Sequence, residues 1–179
     1  GDSRLRIYLY HIPPVAVVGI TTGLVERLRK AYPGAIAGMK DSSGDWNNTT
    51  LFLDAFRGSD FDVFVGSEAF LLAAMRHGGA GCITATANIN PLAIHQLFMS
   101  WEGATAEAEQ VRLNLVRDVL GRSSLMIAAL KSVVAAFRND PAWATVRPPL
   151  VGLTADQAVS LATELEYVGF TMPGVIRND

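Results

Sequence analysis

Residues 35–45, AIAGMKDSSGD, decide the fold, because they combine a buried strand with the start of a helix. The run at 35–39 has the length and composition of a strand that is covered on both faces. Asp45 is a typical N-cap for the helical stretch that follows, which ends at Gly58. A strand, a polar loop and a helix in this order form one βα unit.

The same unit occurs once before this stretch and twice after it. The chain has three further strand-sized runs, which are RIYLY at 6–10, FDVFV at 61–65 and GCITA at 81–85. Helix-period segments follow them, at 21–32, from Ser67 to His77, and from Asn90-Pro91 onward. Successive βα units of this kind predict a parallel sheet.

Beyond residue 103 the pattern becomes purely helical. The sequence predicts three helices there, at 104–120, 123–139 and 154–168, with breaks at Pro141 and at Pro148-Pro149. We therefore expect two parts, a strand–helix region over residues 1–103 and a C-terminal helical region over residues 104–179.

Four βα units are compatible with two architectures. One is a small doubly wound sheet, and the other is half of an eight-stranded (β/α)8 TIM barrel, whose usual full length is about 250 residues. The turn after the first strand holds HIPP at 11–14 rather than the G-x-G-x-x-G of a dinucleotide-binding sheet. The chain also starts almost directly on a strand. Both observations favour the half barrel.

Composition excludes several classes of protein. Fifteen Lys and Arg against seventeen Asp and Glu give a formal net charge of −2, which leaves no basic footprint for nucleic acid. A hydrophobic content of 50% excludes a disordered chain, and no run approaches the roughly 20 apolar residues of a membrane span.

The single cysteine, Cys82, is expected to be a buried core thiol. Because it allows no internal disulfide, and the first residues show no signal-peptide pattern, we expect a cytoplasmic protein.

Lys40 is the first candidate for chemistry, because it follows the second strand directly. Reactive groups of parallel α/β folds lie at the carboxyl ends of the strands. Apolar surroundings there disfavour the ammonium ion, and a neutral amine is the nucleophile that forms a Schiff base with a ketone. The alternative is a strand-end lysine paired with Asp41 or Asp45, and position alone leaves both interpretations open. Lys30 is expected to be a surface charge and Lys131 a structural helix residue.

Tyr10 ends the first strand, so a parallel sheet places it beside Lys40. A phenol in that position can relay protons while a Schiff base forms. The alternative is an aromatic side chain that serves packing alone. Tyr8, two residues back on the same strand face, is a second candidate for either role.

Other strand-end residues suggest a binding role. Gly66 and Ser67 are expected to offer N–H groups at a helix N-terminus to an anionic carboxylate. The glycines at 78–81 are expected to serve a tight helix-to-strand turn. The three histidines, at positions 11, 77 and 95, lack metal-ligand spacing, and we assign no metal site.

Four stretches of the sequence carry a resemblance to a known family. Y-x-x-P at 10–13 is followed about 30 residues later by G-x-K-[DE]-x-[ST]-G-[DN] at 38–45. The stretches GSE at 66–68 and GGAGCITATAN at 78–88 then follow in the right order and spacing. The sequence resembles the dihydrodipicolinate synthase/N-acetylneuraminate lyase family over essentially the whole chain.

The resemblance implies a (β/α)8 barrel in which these strands are numbers five to eight. It implies a class I mechanism, in which Lys40 condenses with the keto carbon of pyruvate or a related 2-oxo acid and Tyr10 shuttles protons. Gly66 and Ile83 match positions that line the pocket in the family. The partners implied are a 2-oxo acid and an aldehyde, with no metal, no cofactor, no nucleic acid and no membrane. A homo-oligomer, either dimer or tetramer, is also implied.

Two departures from the family pattern shape the prediction. The family's G-T-T-G-E segment and its second relay tyrosine do not occur in this chain, so we expect an open sheet edge and an incomplete site in the chain alone. Val15 occupies the position where the synthases usually carry an arginine that grips the aldehyde's carboxylate. This favours aldolases or dehydratases of sugar acids within the family. A non-catalytic relative that binds a 2-oxo acid, or an inactive fragment, stays open as a further alternative.

Overall fold

The computed structural model of this chain describes residues 4–122 and 125–172. Those residues form four strands, β1 (Ile7–His11), β2 (Ile36–Asp41), β3 (Asp62–Val65) and β4 (Gly81–Cys82). They form eight α-helices, which are α1 (Pro13–Ala16), α2 (Thr22–Ala31), α3 (Trp46–Ala55), α4 (Leu71–Arg76), α5 (Pro91–Ser100), α6 (Ala106–Gly121), α7 (Met126–Arg138) and α8 (Ala155–Tyr167). Short 3₁₀ turns lie at Glu68–Phe70, Ala85–Asn88 and Pro141–Ala144.

The predicted elements are present, with ends that shift by a few residues. The predicted helix at 123–139 is observed as α7, and its predicted first two residues lie outside the described part of the chain. Asp45 caps α3 as predicted, since its side chain accepts a hydrogen bond from the Asn47 backbone N–H at 2.9 Å. Pro91 stands at the start of α5, where its missing N–H is tolerated.

The four strands form one parallel sheet in the order β1-β2-β3-β4. Each strand therefore lies beside its neighbour in sequence, with no reversal of order of the kind that marks the ligand crevice of a doubly wound sheet. This order is typical of an arc of a barrel wall. In the register of β1 and β2, Tyr10 lies opposite Lys40, and Lys40 in turn lies opposite Phe64 of β3.

The two faces of the sheet have different surroundings because side chains alternate along a strand. On one face, Met39 and Val63 are buried against Val25 of α2 and Phe52 of α3, in one apolar cluster. Lys40, the neighbour of Met39 in β2, points to the opposite face. The helices therefore cover one face of the sheet, and Tyr10, Lys40 and Phe64, which lie opposite one another in register, project from the other face.

Strand β4 is shorter than predicted. The run at 81–85 was expected to be extended throughout, but only Gly81–Cys82 forms the strand. Ile83 still donates its N–H to the Val65 carbonyl at 2.9 Å. The next residue, Thr84, turns its hydroxyl to the buried Glu68 carboxylate at 2.6 Å, and a 3₁₀ turn follows at Ala85–Asn88. A side-chain contact with another segment therefore ends the strand early.

The chain divides into two compact units. The first holds the described residues up to Thr84 together with Ser100–Gly103, and the second holds Ala85–Met99 and the described residues from Ala104 onward. The second unit has its own apolar core, built from α6, α7 and α8 around side chains such as Leu120, Leu130 and Leu165. The division into 1–103 and 104–179 that we drew from the sequence stays a prediction.

Among the described residues, no single helix is both long enough and apolar enough to cross a membrane, although α6 and α7 taken together, as a bent pair, reach that length and composition.

Candidate active site

Lys40 and Tyr10 lie side by side at the carboxyl ends of β2 and β1. The Lys40 amine donates a hydrogen bond from Nζ to the Tyr10 hydroxyl at 3.1 Å. The same nitrogen lies 4.3 Å from the centre of the Tyr10 ring. The pairing follows from the backbone, because residues opposite each other on parallel neighbours project from the same face of the sheet. The pair that we predicted from strand order is therefore brought together.

Lys40 does not form the alternative ion pair. Asp45 uses its side chain to cap α3, and the Asp41 carboxylate accepts its hydrogen bonds from a loop and a helix on the other face. Among the described residues, the hydrogen-bond partner of the Lys40 amine is Tyr10.

The environment of Tyr10 favours release of its proton. The hydrogen bond from Lys40 lowers the pKa of the Tyr10 phenol below its ordinary value of 10.0, and the nearby Ser42 hydroxyl adds a smaller effect of the same sign. Partial burial opposes both effects. The Ser42 oxygen is buried and makes no hydrogen bond of normal geometry with any described residue. Tyr10 is therefore better prepared than a free phenol to exchange a proton with a neighbouring group.

Tyr8 has a different partner. Its hydroxyl donates a hydrogen bond to the Asp62 carboxylate at 2.6 Å, which raises the pKa of the Tyr8 phenol. Its ring packs edge-on against Phe64 at 5.9 Å. Gly38 makes room for that ring, because a Cβ at position 38 would lie 2.5 Å from a carbon of the Tyr8 ring. Of the two candidate tyrosines, the structure places Tyr10 against Lys40.

Gly66 lies at the same edge of the sheet but does not offer its N–H. That N–H donates to the Asp41 carbonyl at 2.6 Å, so it is unavailable to a carboxylate, contrary to our expectation for this group. A Cβ on Gly66 would lie 2.2 Å from the Ser42 oxygen and 2.8 Å from the Asp41 carbonyl oxygen. Glycine at this position therefore keeps the strand end of β3 close to the loop after Lys40.

Ser67 and Ile83 complete the predicted set. The Ser67 side chain accepts a hydrogen bond from the Ala69 backbone N–H at 3.3 Å and so caps the 3₁₀ turn before α4. Ile83 is about half exposed and follows β4 directly. Their roles in binding, like that of Gly66, stay predictions.

Cys82, which lies just before Ile83, is partly buried and does not belong to the fully buried core that the sequence predicted for it. Burial raises the pKa of the Cys82 thiol to about 12, and the nearby Glu68 carboxylate adds to the effect. The thiolate is the reactive form of cysteine, so this side chain is poorly prepared to act as a nucleophile.

The sequence reasoning missed a buried polar cluster behind Lys40. Asp41 is 3% exposed, and its carboxylate accepts four hydrogen bonds. The donors are the Ser43 backbone N–H at 2.9 Å, the Ser43 hydroxyl at 3.1 Å, the Asn48 amide at 3.2 Å and the Thr49 hydroxyl at 2.6 Å. Strand alternation could have placed Asp41 opposite to Lys40, and an Asp in a polar turn could have indicated the two Ser43 donors. No sequence signal pointed to Asn48 and Thr49.

Comparison with known proteins places the chain in a family. The model of the dihydrodipicolinate synthetase family matches residues 2–167. The chain belongs to this family. It is 30% identical over 164 residues to an uncharacterized DapA-like lyase of Chloroflexus aurantiacus, a match that covers 91% of this chain and 54% of that protein. It is also 30% identical over 165 residues to the 4-hydroxy-tetrahydrodipicolinate synthase of Listeria monocytogenes, covering 92% of this chain and 55% of the relative.

Solved structures of the dihydrodipicolinate synthetase family share the fold. The dihydrodipicolinate synthase of Agrobacterium tumefaciens matches with a TM-score of 0.76 and 28% identity, over 92% of this chain and 54% of that one. YagE of Escherichia coli K12 matches with a TM-score of 0.84 over 93% of this chain and 57% of its own, and at 22% identity this likeness concerns the fold alone. The predicted (β/α)8 fold class is confirmed, and the chain spans about half the length of the relatives that it matches.

Proposed function

We propose that the whole protein is a class I lyase, in which Lys40 forms a Schiff base with pyruvate or a related 2-oxo acid. The observation that carries the proposal is the Lys40–Tyr10 pair, with 3.1 Å between the amine nitrogen and the phenol oxygen. Covalent catalysis by an amine requires a nucleophile and a proton-transfer group that lie within hydrogen-bond distance of each other. Family membership supports the same conclusion, since the curated relatives are named as lyases and synthases of this kind.

The proposed first step joins Lys40 to the substrate. The neutral amine attacks the keto carbon, a C–N bond forms, and the carbonyl electron pair moves to oxygen. Tyr10 passes a proton from the nitrogen to that oxygen, which gives a carbinolamine. The Tyr10 phenol then gives a second proton to the new hydroxyl group, the C–O bond breaks, and water leaves to give the protonated Schiff base and the Tyr10 phenolate. The lowered pKa of Tyr10 suits this exchange, because the phenol must both give up and regain a proton.

The Schiff base then makes the neighbouring carbon reactive. Loss of a proton from that carbon gives an enamine, and the iminium nitrogen holds the electron pair that is left behind. The enamine carbon adds to the carbonyl carbon of an aldehyde, and water releases the product from Lys40. The same steps in reverse cleave a carbon–carbon bond. The protonated nitrogen supplies the electron sink, so the proposal involves no metal or organic cofactor.

Pyruvate is the 2-oxo acid with which we would start. YagE, a structural neighbour that shares the fold, was solved in complex with pyruvate. The relatives that are named 4-hydroxy-tetrahydrodipicolinate synthase support the same substrate class. We also propose that the whole protein is a homo-oligomer, as the family resemblance implies; its cytoplasmic location stays a prediction.

A second candidate function is cleavage or dehydration of a sugar acid by the same Schiff-base chemistry. The segment after Tyr10 favours it, because Val15, in α1, stands where the synthases usually carry an arginine. Val15 is 73% exposed, and Val17 and Val18, which follow α1 directly, are exposed as well. No positive charge from these positions would hold a second carboxylate on the aldehyde partner. The identity of the aldehyde therefore separates the two candidates.

Borohydride reduction with pyruvate tests the proposed function. Reduction converts a Schiff base into a stable amine, so we expect the intact mass of the whole protein to rise by one reduced pyruvate unit. The Lys40→Ala variant should show no increase, whereas Lys30→Ala, which removes an exposed lysine on α2, should behave as the unchanged protein. An unchanged mass in the folded wild-type protein would contradict the proposal.

A further inference from the structure

The Lys40–Tyr10 pair and the buried Asp41 cluster lie on opposite faces of the same two strands, β1 and β2. Lys40 and Asp41 are consecutive in β2, as Tyr10 and His11 are in β1, and their side chains leave the sheet on opposite faces. A shift of the backbone at Asp41 or His11 therefore also displaces the residue of the reactive pair that precedes it on the same strand.

Asp41 ties the end of β2 to the first turn of α3. Its oxygen Oδ2 accepts from the Thr49 hydroxyl at 2.6 Å and from the Asn48 amide at 3.2 Å, both in α3. Its oxygen Oδ1 accepts from the Ser43 backbone N–H at 2.9 Å and so fixes the loop after Lys40. Hydrogen bonds to a buried carboxylate are strong, and removing one donor leaves charge without its compensation.

His11 holds the end of β1 in the same way. Its Nδ1 accepts a hydrogen bond from the Ile20 backbone N–H at 2.9 Å, which requires the proton of the neutral ring to be on Nε2. That Nε2 faces the Asp41 Oδ1 at a distance of 3.9 Å. Both side chains are almost fully buried, so the two strand ends share one water-excluded polar cluster.

We propose that Asp41, supported by Thr49, Asn48 and His11, is a positioning residue that holds Lys40 and Tyr10 in hydrogen-bond contact. The proposal rests on the proposed function where it concerns Schiff-base formation. Its physical basis is that a displacement of about 1 Å at a reacting group can lower a rate by roughly a hundredfold. The Asp41 contacts are not needed to cap α3, because Asp45 already caps that helix.

Thr49→Val tests the proposal, because it removes the shortest hydrogen bond to Asp41 while nearly keeping the side-chain shape. Thr49→Ser retains the hydroxyl and is the rescuing variant. Thr50→Val is the matched control, because the Thr50 hydroxyl bonds the Asn47 carbonyl within the same helix and does not contact Asp41. Asn48→Ala, compared with Asn47→Ala, provides a second and milder pair if Thr49→Val does not fold.

Two readouts separate positioning from stability. The first is the ultraviolet titration of tyrosinate, with the Tyr10 contribution identified by subtraction of the Tyr10→Phe variant. We expect the pKa of Tyr10 to move up toward its ordinary value in Thr49→Val, because the Lys40 hydrogen bond is loosened. The second is the rate of borohydride trapping at saturating pyruvate, which we expect to fall by about tenfold in Thr49→Val and to be restored in Thr49→Ser.

The outcomes distinguish this inference from the proposed function. A folded Thr49→Val protein whose Tyr10 titration and saturating trapping rate equal those of Thr50→Val would overturn the positioning role. A wild-type protein that forms no pyruvate adduct would overturn the proposed function, while a shift in the Tyr10 titration would still support the contact that Asp41 maintains.

Discussion

At the scale of single residues, the Lys40–Tyr10 pair could be predicted from the sequence, whereas the full set of hydrogen bonds to Asp41 behind it could not. Lys40 and Tyr10 each follow a recognisable strand, and parallel register brings strand-end residues together. We weighed Asp41 as an ion-pair partner of Lys40, whereas the alternation of the strand turns it to the opposite face. Two of its four donors are local, on Ser43, and the other two, on Asn48 and Thr49, depend on how α3 packs against the sheet, which a local sequence pattern does not contain.

The pH dependence of Schiff-base formation should reflect the lowered pKa of Tyr10. A phenol whose pKa is lowered loses its proton at a lower pH than a free phenol, so the alkaline limb of the trapping rate should begin below pH 10. In Tyr10→Phe that limb should disappear and the maximal rate should fall by roughly a hundredfold or more. Trapping rates measured across pH at saturating pyruvate check this. A Tyr10→Phe profile identical to wild type would exclude Tyr10 from the proton transfer.

Cys82 should react slowly with alkylating reagents in the folded protein. Burial and the Glu68 carboxylate raise the pKa of its thiol to about 12, so almost no thiolate exists near neutral pH. Iodoacetamide labelling followed by mass spectrometry measures this, with the same protein in denaturant as the control. Equal labelling rates in the two samples would contradict the buried environment of the thiol.

At the scale of elements, helix and strand positions could be read from hydrophobic periodicity and cap residues. Asp45 caps α3 and Pro91 opens α5, both as predicted. Strand β4 was predicted too long, because the Thr84–Glu68 hydrogen bond turns the chain after Cys82. Such a contact joins residues 16 positions apart and is invisible to any local pattern.

Gly66→Ala should destabilise the protein through the contact between the ends of β2 and β3. The added Cβ would lie 2.8 Å from the Asp41 carbonyl oxygen and 2.9 Å from the Ser42 Cα, so the backbone itself must move. We expect a loss of about 1–3 kcal/mol in the free energy of unfolding. Denaturant titration measures it, with Gly121→Ala as control, since a Cβ at position 121 meets nothing within 4 Å. Equal stability of the two variants would contradict the close approach.

At the scale of the whole molecule, the barrel was predicted from the missing G-x-G-x-x-G after the first strand and from the family resemblance, and the observed order of strands agrees with it. Four parallel strands in sequence order, each followed by a helical segment, distinguish a barrel arc from a doubly wound sheet. In the described part of the chain, β1 and β4 each pair on one side only. The relatives are about twice as long as this chain, so the proposed activity belongs to the whole protein.

The most direct test of the central claim is to find which lysine carries pyruvate after borohydride reduction. The chain contains three lysines, at positions 30, 40 and 131, and peptide mass mapping separates them. We predict the reduced adduct on the peptide that carries Lys40, with Lys30 and Lys131 unmodified. An adduct confined to either of those two lysines would contradict the assignment of Lys40 as the Schiff-base nucleophile.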